Sequence, residues 1–107
     1  MTAIGNDFGY EDIFSRQLRV LGKSGDVVVA ISASGNSPNL LKAFDAAKAM
    51  GIKTVALTAF DGGKMKSIAD EGVHVATGMK EYGPAEDAHM ILDHLVAAYL
   101  SRVIKPT

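Results

Sequence analysis

The sequence predicts an α/β fold: a three-layer sandwich with a parallel sheet of about three strands and helices on its flanks. Three observations carry this. Val27 to Ile31 is a short, wholly apolar and mostly β-branched run, the pattern of a strand buried on both faces of a parallel sheet. Helical periodicity follows it, and then a second apolar run from Lys53 to Thr58. Strand, helix and strand in this order imply a right-handed crossover and parallel pairing.

In chain order, Thr2 to Tyr10 is glycine-bearing and irregular. Glu11 and Asp12 suit the first turn of a helix, where acids favour the dipole, and Ile13, Phe14, Gln17, Leu18 and Leu21 share one face. Gly22 ends it. After the first strand come Ser32-Ala33-Ser34-Gly35-Asn36-Ser37-Pro38, with Ser37 in the form of an N-cap and Pro38 at the first helical position. Leu40, Leu41, Phe44, Ala47 and Met50 then line one face, with Lys42, Asp45 and Lys48 on the other. Gly51 reads as a left-handed cap.

Ala59 to Gly63 makes the next turn, and Met65, Ile68 and Ala69 stripe a short helix. The glycine pair is explained by turn chemistry alone. Val73 to Thr77 alternates and reads as an edge strand, with His74 an ordinary strand residue. From Pro84 a long helix is expected to about residue 104, with Glu86 and Asp87 in its first turn. Ala88, Ile91, Leu92, Leu95, Val96, Tyr99, Leu100 and Val103 form a broad apolar face.

The bend between the first strand and its helix carries the chemistry. Three hydroxyls, a glycine and an asparagine fall within six positions. They stand where a helix dipole places about +0.5 charge beyond the carboxyl end of a strand, an arrangement suited to phosphate. Hydroxyls can donate to an acceptor-only ligand, and Gly35 would let the backbone approach it. A single serine here is explained as well by a capped polar turn; the cluster is not. Neither G-x-x-x-x-G-K-[ST] nor G-x-G-x-x-G occurs, so no nucleotide cofactor is expected.

On the last helix His89 and His94 lie about 140° apart, which excludes an H-E-x-x-H type zinc site. Glu86 with His89, and Asp87 with His94, share faces, so each histidine reads as an imidazole paired with a helix carboxylate.

The loop Ser32-Ala33-Ser34-Gly35-Asn36-Ser37 resembles the phosphate loop of the sugar isomerase (SIS) superfamily. Gly5-Asn6-Asp7-Phe8, Asp61-Gly62-Gly63-Lys64-Met65 and two histidines five apart extend the resemblance to its phosphoheptose isomerase branch. The likeness covers nearly all of this chain and about the later half of the family's domain, so residues 1–107 would be a partial SIS domain of flavodoxin-like layering, with the phosphosugar loop at 32–37.

The resemblance implies aldose-ketose isomerisation of sedoheptulose 7-phosphate or a related sugar phosphate, or, alternatively, a phosphosugar-binding regulatory or assembly module without turnover. It implies that Asn6, Asp7, Ser32, Ala33, Ser34, Ser37 and the residue at Glu86 bind substrate, and that His94 serves as acid or base or ligates zinc; a glutamate, as at Glu86, can itself act as a base or ligate zinc. It further implies a homo-oligomer, a tetramer, or an N-terminal segment supplied from elsewhere. Two departures stand out: Glu86 replaces the family's glutamine, and Ala33 stands where threonine is common. The family's first strand, glycine-rich loop and following His/Glu-bearing helix have no counterpart in this chain.

At 107 residues there is room for one domain, and 48% apolar content supports an ordinary core. With 11 basic against 12 acidic residues, no charge block is set to hold nucleic acid or an anionic membrane. No apolar run approaches the ~20 residues that span a bilayer. Cysteine is absent, which excludes disulfides and thiolate chemistry, and the lack of an apolar signal region makes the cytoplasm the expected compartment.

Overall fold

The computed structural model describes residues 9–104. A 3-10 turn, Tyr10–Asp12, leads into α1 (Ile13–Leu21), followed by β1 (Val27–Ser32), α2 (Pro38–Ala49), β2 (Lys53–Thr58), α3 (Gly63–Ile68), β3 (Glu71–His74) and α4 (Tyr82–Val103). The sheet has the order β1-β2-β3 and is parallel throughout, with Val27 opposite Lys53 and Val55 opposite Glu71. The expected α/β layering is therefore observed.

On one face, Ala30, Ala56, Phe44 and Met65 form the core, with Val28, Leu40, Leu41, Ile68 and Ala69 packed around them. Phe44 and Met65 are fully buried, and each contributes about 1.5–3 kcal/mol by leaving water. The amphipathic split of α2 is as its sequence indicates: Lys42, Asp45 and Lys48 are exposed while Ala43, Phe44, Ala46 and Ala47 are buried. Gly51, at φ 73°, ends that helix in the left-handed region. Lys42 reaches Glu11 Oε2 and Asp12 Oδ1, both at 3.2 Å, and these carboxylates hold its pKa above the ordinary lysine value.

Several expectations are corrected. β1 is not buried on both faces: Val28 and Ala30 point into the core, whereas Val27, Val29 and Ile31 are about half exposed. α2 packs one side of the strand, and among the described residues little covers the other. Leu21 leaves the apolar face of α1 and is 74% exposed, since the helix ends there and only Ile13 and Ser15 are fully buried. The edge strand begins at Glu71 rather than Val73, and its start is set by Asp70. The Asp70 carboxylate accepts from Thr54 N at 2.8 Å and from Thr54 Oγ1 at 3.2 Å, while Asp70 N donates to Thr54 Oγ1 at 3.0 Å.

The last helix starts at Tyr82, so Glu86 and Asp87 fall beyond its first turn. It is pinned to the sheet mainly at its N-terminal end. Ala85 is buried with Ala59 and Phe60, Tyr82 meets the Phe60 ring edge-on at 5.0 Å, and His89 is buried against β2. Phe60 takes φ 53°, an uncommon conformation for a bulky residue. Further along, Ile91, Leu95, Val96, Tyr99 and Val103 remain more than half exposed.

Candidate functional site

The loop following β1 is held by its own polar groups. Ser32 Oγ accepts from Gly35 N at 3.0 Å and lies 3.2 Å from Ser37 Oγ, and Ser34 Oγ accepts from Asn36 N at 3.2 Å. Ser37 occupies the N-cap position with Pro38 next to it, yet its hydroxyl makes no capping bond. It pairs with Ser32 instead, across the mouth of the loop.

A second loop, after β2, supports the first. Ala59 N donates to Ala33 O, Met65 N to Gly35 O and Lys64 N to Asn36 Oδ1, each at 3.0 Å. The close contact explains the glycines. Gly35 sits at φ 70°, and a Cβ there would collide with the Gly62 carbonyl; a Cβ on Gly63 would collide with Ser34 O. Beside the expected approach to a ligand, Gly35 has a reason within the fold: two loop backbones touch. The Asp61-Gly62-Gly63 turn is thus more than a turn, because it buttresses the serine loop.

Between this loop and α4 lies an open cleft of about 570 Å³, walled by Ser32, Ala33, Ser34 and Ser37 on one side and by Tyr82, Glu86, His89 and Asp93 on the other, with Ile31 and Met90 beside them. Sheet topology places it beyond the carboxyl end of a parallel strand, where ligands bind in such sheets. No lysine or arginine lines it among the described residues. Its polar capacity therefore comes from hydroxyls, two carboxylates, a histidine and the α2 dipole.

The structure brings Ser32, Ala33, Ser34, Ser37 and Glu86 together as the sequence suggests. Asn6 and Asp7 lie outside the described residues. His94 is exposed on α4 and does not line the cleft. The imidazole that does so is His89, and it is not paired with Glu86: its Nε2 lies 2.9 Å from the Thr58 carbonyl. Asp87 and His94 likewise form no hydrogen bond or ion pair with one another among the described residues. His74 has a partner the sequence did not reveal, Thr58 Oγ1 at 3.0 Å from Nδ1, its cross-strand neighbour. Asp93 was also missed; seven residues beyond Glu86, it returns to the same helical face.

Zinc can be tested on the donor set. A catalytic zinc takes three protein ligands and a structural one four. Glu86 and His94 supply two, and no group of three or more His, Cys, Asp or Glu able to hold an ion occurs among the described residues. The residues described here do not by themselves fit the ion.

The SIS domain sequence family matches residues 1–59. The chain is 41% identical over 104 residues to the phosphoheptose isomerase of Sulfurimonas denitrificans, covering 97% of this chain and 52% of that protein. It is 42% identical, again over 104 residues, to the phosphoheptose isomerase of Akkermansia muciniphila, covering 97% of this chain and 54% of that protein. A solved phosphoheptose isomerase structure from Neisseria gonorrhoeae superposes with a TM-score of 0.79 at 41% identity, covering 88% of this chain and 52% of that one. The chain thus spans about half the length of the curated relatives it matches.

Proposed function

The chain belongs to the SIS domain family, and from that premise we propose that it binds a sugar phosphate and takes part in its aldose-ketose isomerisation, with sedoheptulose 7-phosphate as the substrate. The observation that carries this reading is the cleft itself, with three serine hydroxyls facing Glu86 across about 570 Å³. That space accommodates a seven-carbon sugar phosphate with its phosphate at the serine end.

The phosphate is held by donation from Ser34 and Ser37 and by the N-terminal end of α2. Ser32 mainly keeps the loop in shape: its oxygen accepts from Gly35 N and its proton goes to Ser37 Oγ, which leaves the protons of Ser34 and Ser37 for the phosphate. With the phosphate anchored, the sugar chain extends along α4 past Glu86. Isomerisation requires a base that moves the proton from the carbon beside the carbonyl to the neighbouring carbon through an enediol, while an acid gives a proton to the carbonyl oxygen and takes one from the neighbouring hydroxyl. In this proposal Glu86, which lines the cleft, makes the transfer between carbons. Anchoring at the distant phosphate lets binding energy serve the reacting carbons.

His94 enters this proposal from the flank of α4 next to the cleft-lining face. Exposed and away from the cleft, it acts in a site that α4 forms with another chain or segment, in keeping with the half-exposed apolar residues around it. Assembly as a homo-oligomer, or with a further segment, is part of the same proposal. Any zinc would need donors beyond Glu86 and His94, so no step is routed through a metal. Among the described residues no helix is long and apolar enough to cross a membrane.

The test is titration with sedoheptulose 7-phosphate, together with a turnover assay, on the wild-type chain and on Ser34→Ala. Loss of a hydroxyl donated to a charged phosphate costs about 1.5–3 kcal/mol, so affinity should fall roughly ten- to a hundredfold. Unchanged affinity in the variant, or no binding by the wild type, refutes the assignment of the loop. Binding without turnover argues for a phosphosugar-binding module instead.

A further inference from the structure

His89 is 97% hidden from solvent, lines the cleft and has no part in the reaction just described. Its two ring nitrogens are in different situations. Nε2 lies 2.9 Å from the Thr58 carbonyl oxygen, which also receives Val75 N at 2.9 Å. A carbonyl oxygen can only accept, so the proton of the neutral imidazole resides on Nε2. Nδ1 is then a bare lone pair.

Among the described residues His89 Nδ1 has no hydrogen-bond partner, and it is not one of the side-chain atoms wholly sealed from solvent without one. His89 itself lines the cleft, and Nδ1 is the ring nitrogen left available to meet a ligand there. An acceptor so held sits one helical turn from Glu86, on the wall opposite the serine hydroxyls. The ligand class it suits is a hydroxyl-bearing chain, because a carboxylate or a phosphomonoester dianion offers no proton to a bare nitrogen.

We propose that His89 is a substrate-contacting, specificity-determining residue whose Nδ1 accepts a hydrogen bond from a hydroxyl of the sugar, with the Thr58 carbonyl fixing the tautomer that makes this acceptance available. This rests on the sugar-phosphate reading of the cleft. It adds a determinant that separates a polyol phosphate from inorganic phosphate, which the serine loop alone does not distinguish.

His89→Gln is the informative variant, since the Gln amide nitrogen can take the place of Nε2 and donate to Thr58 while leaving no acceptor at Nδ1. Titrate wild type and His89→Gln with sedoheptulose 7-phosphate and with inorganic phosphate, the second reporting the serine loop alone. The expected result is a loss of about tenfold in affinity for the sugar phosphate with phosphate affinity unchanged. Equal sugar-phosphate affinities in the two proteins overturn the role of His89 and leave the serine loop standing. Failure of the wild type to bind either ligand overturns the reading of the cleft and this proposal with it.

Should the variant not fold, nitrogen-15 NMR of the His89 ring in the wild-type chain decides the matter. A protonated Nε2 with a bare Nδ1 resonance that moves on adding the sugar phosphate, and not on adding phosphate, supports the proposal. The opposite tautomer, or an Nδ1 signal indifferent to the sugar, refutes it.

Discussion

Replacing Gly35 by alanine tests the claim that two loop backbones in contact hold the serine cluster in place. Two costs are separable in the structure. The first is conformational: φ is 70°, and a side chain in the left-handed region costs about 1–2 kcal/mol. The second is spatial. A Cβ would meet the Gly62 carbonyl, so the loops must part, and the bonds Met65 N to Gly35 O and Lys64 N to Asn36 Oδ1, both 3.0 Å, stand next to the collision. At about 1 kcal/mol each, their loss brings the total to roughly 3–4 kcal/mol, a large share of a domain's usual 5–15 kcal/mol. Gly25 supplies the control: its φ is 94° and a Cβ there would meet nothing within 4 Å, so Gly25→Ala carries the conformational cost alone. Urea unfolding followed by circular dichroism measures both variants, with an unchanged slope confirming a common mechanism of unfolding. Gly35→Ala should lose about 2 kcal/mol more than Gly25→Ala. Equal losses would mean that the loops are not in contact and that the glycine pair is only a turn.

Two further outcomes are expected. Glu86→Gln keeps an acceptor in the cleft and cannot take up a proton, so turnover should fall by about 10²- to 10⁴-fold while affinity for the sugar phosphate holds or rises slightly, as a negative charge facing the phosphate has gone; turnover within a few-fold of wild type removes Glu86 from proton transfer. Asp70 has its pKa lowered, first by the hydrogen bond from Thr54 N and against the opposing effect of burial. A carboxylate with a depressed folded pKa contributes stability above its unfolded pKa and loses it as pH falls through the folded one, so the wild-type urea midpoint should decline below about pH 4. In Asp70→Asn that part of the acid decline should be missing, and parallel pH profiles would show that the carboxylate does not govern it.

Much of the fold was legible because its signals are local. β2 and α2 appear where their patterns place them, and Ser37-Pro38 marks the start of α2. The cleft was legible in one wall, from the density of hydroxyls after an apolar strand. The opposite wall was less so, because it depends on how α4 is rotated, and that is set by contacts distant in sequence: Phe60 with Tyr82, Ala59 with Ala85, and Thr58 with His89. Those contacts turn His89 and Asp93 inward and leave His94 outside. Nothing within α4 itself distinguishes the two histidines, since each has a carboxylate on its own face. A buried histidine whose partner is a backbone carbonyl leaves no trace in side-chain spacing.

The misreading of β1 has a different origin and bears on the site. A strand apolar at every position is patterned for two covered faces, yet Val27, Val29 and Ile31 are about half exposed here. α4 repeats the pattern beyond the cleft, with Met90, Ile91, Leu95, Val96 and Tyr99 exposed. Under the proposed assembly this exposed apolar surface is what another chain or segment covers. Ile31 and Met90 belong both to that surface and to the rim of the cleft, so whatever covers the surface also narrows the cleft. His94 lies one turn from Met90 and Ile91, in the midst of the same face. Under that assembly, substitutions at His94 are to be judged in the assembled protein, whereas those at Ser34 and at Glu86 and His89 report on the two walls of the cleft.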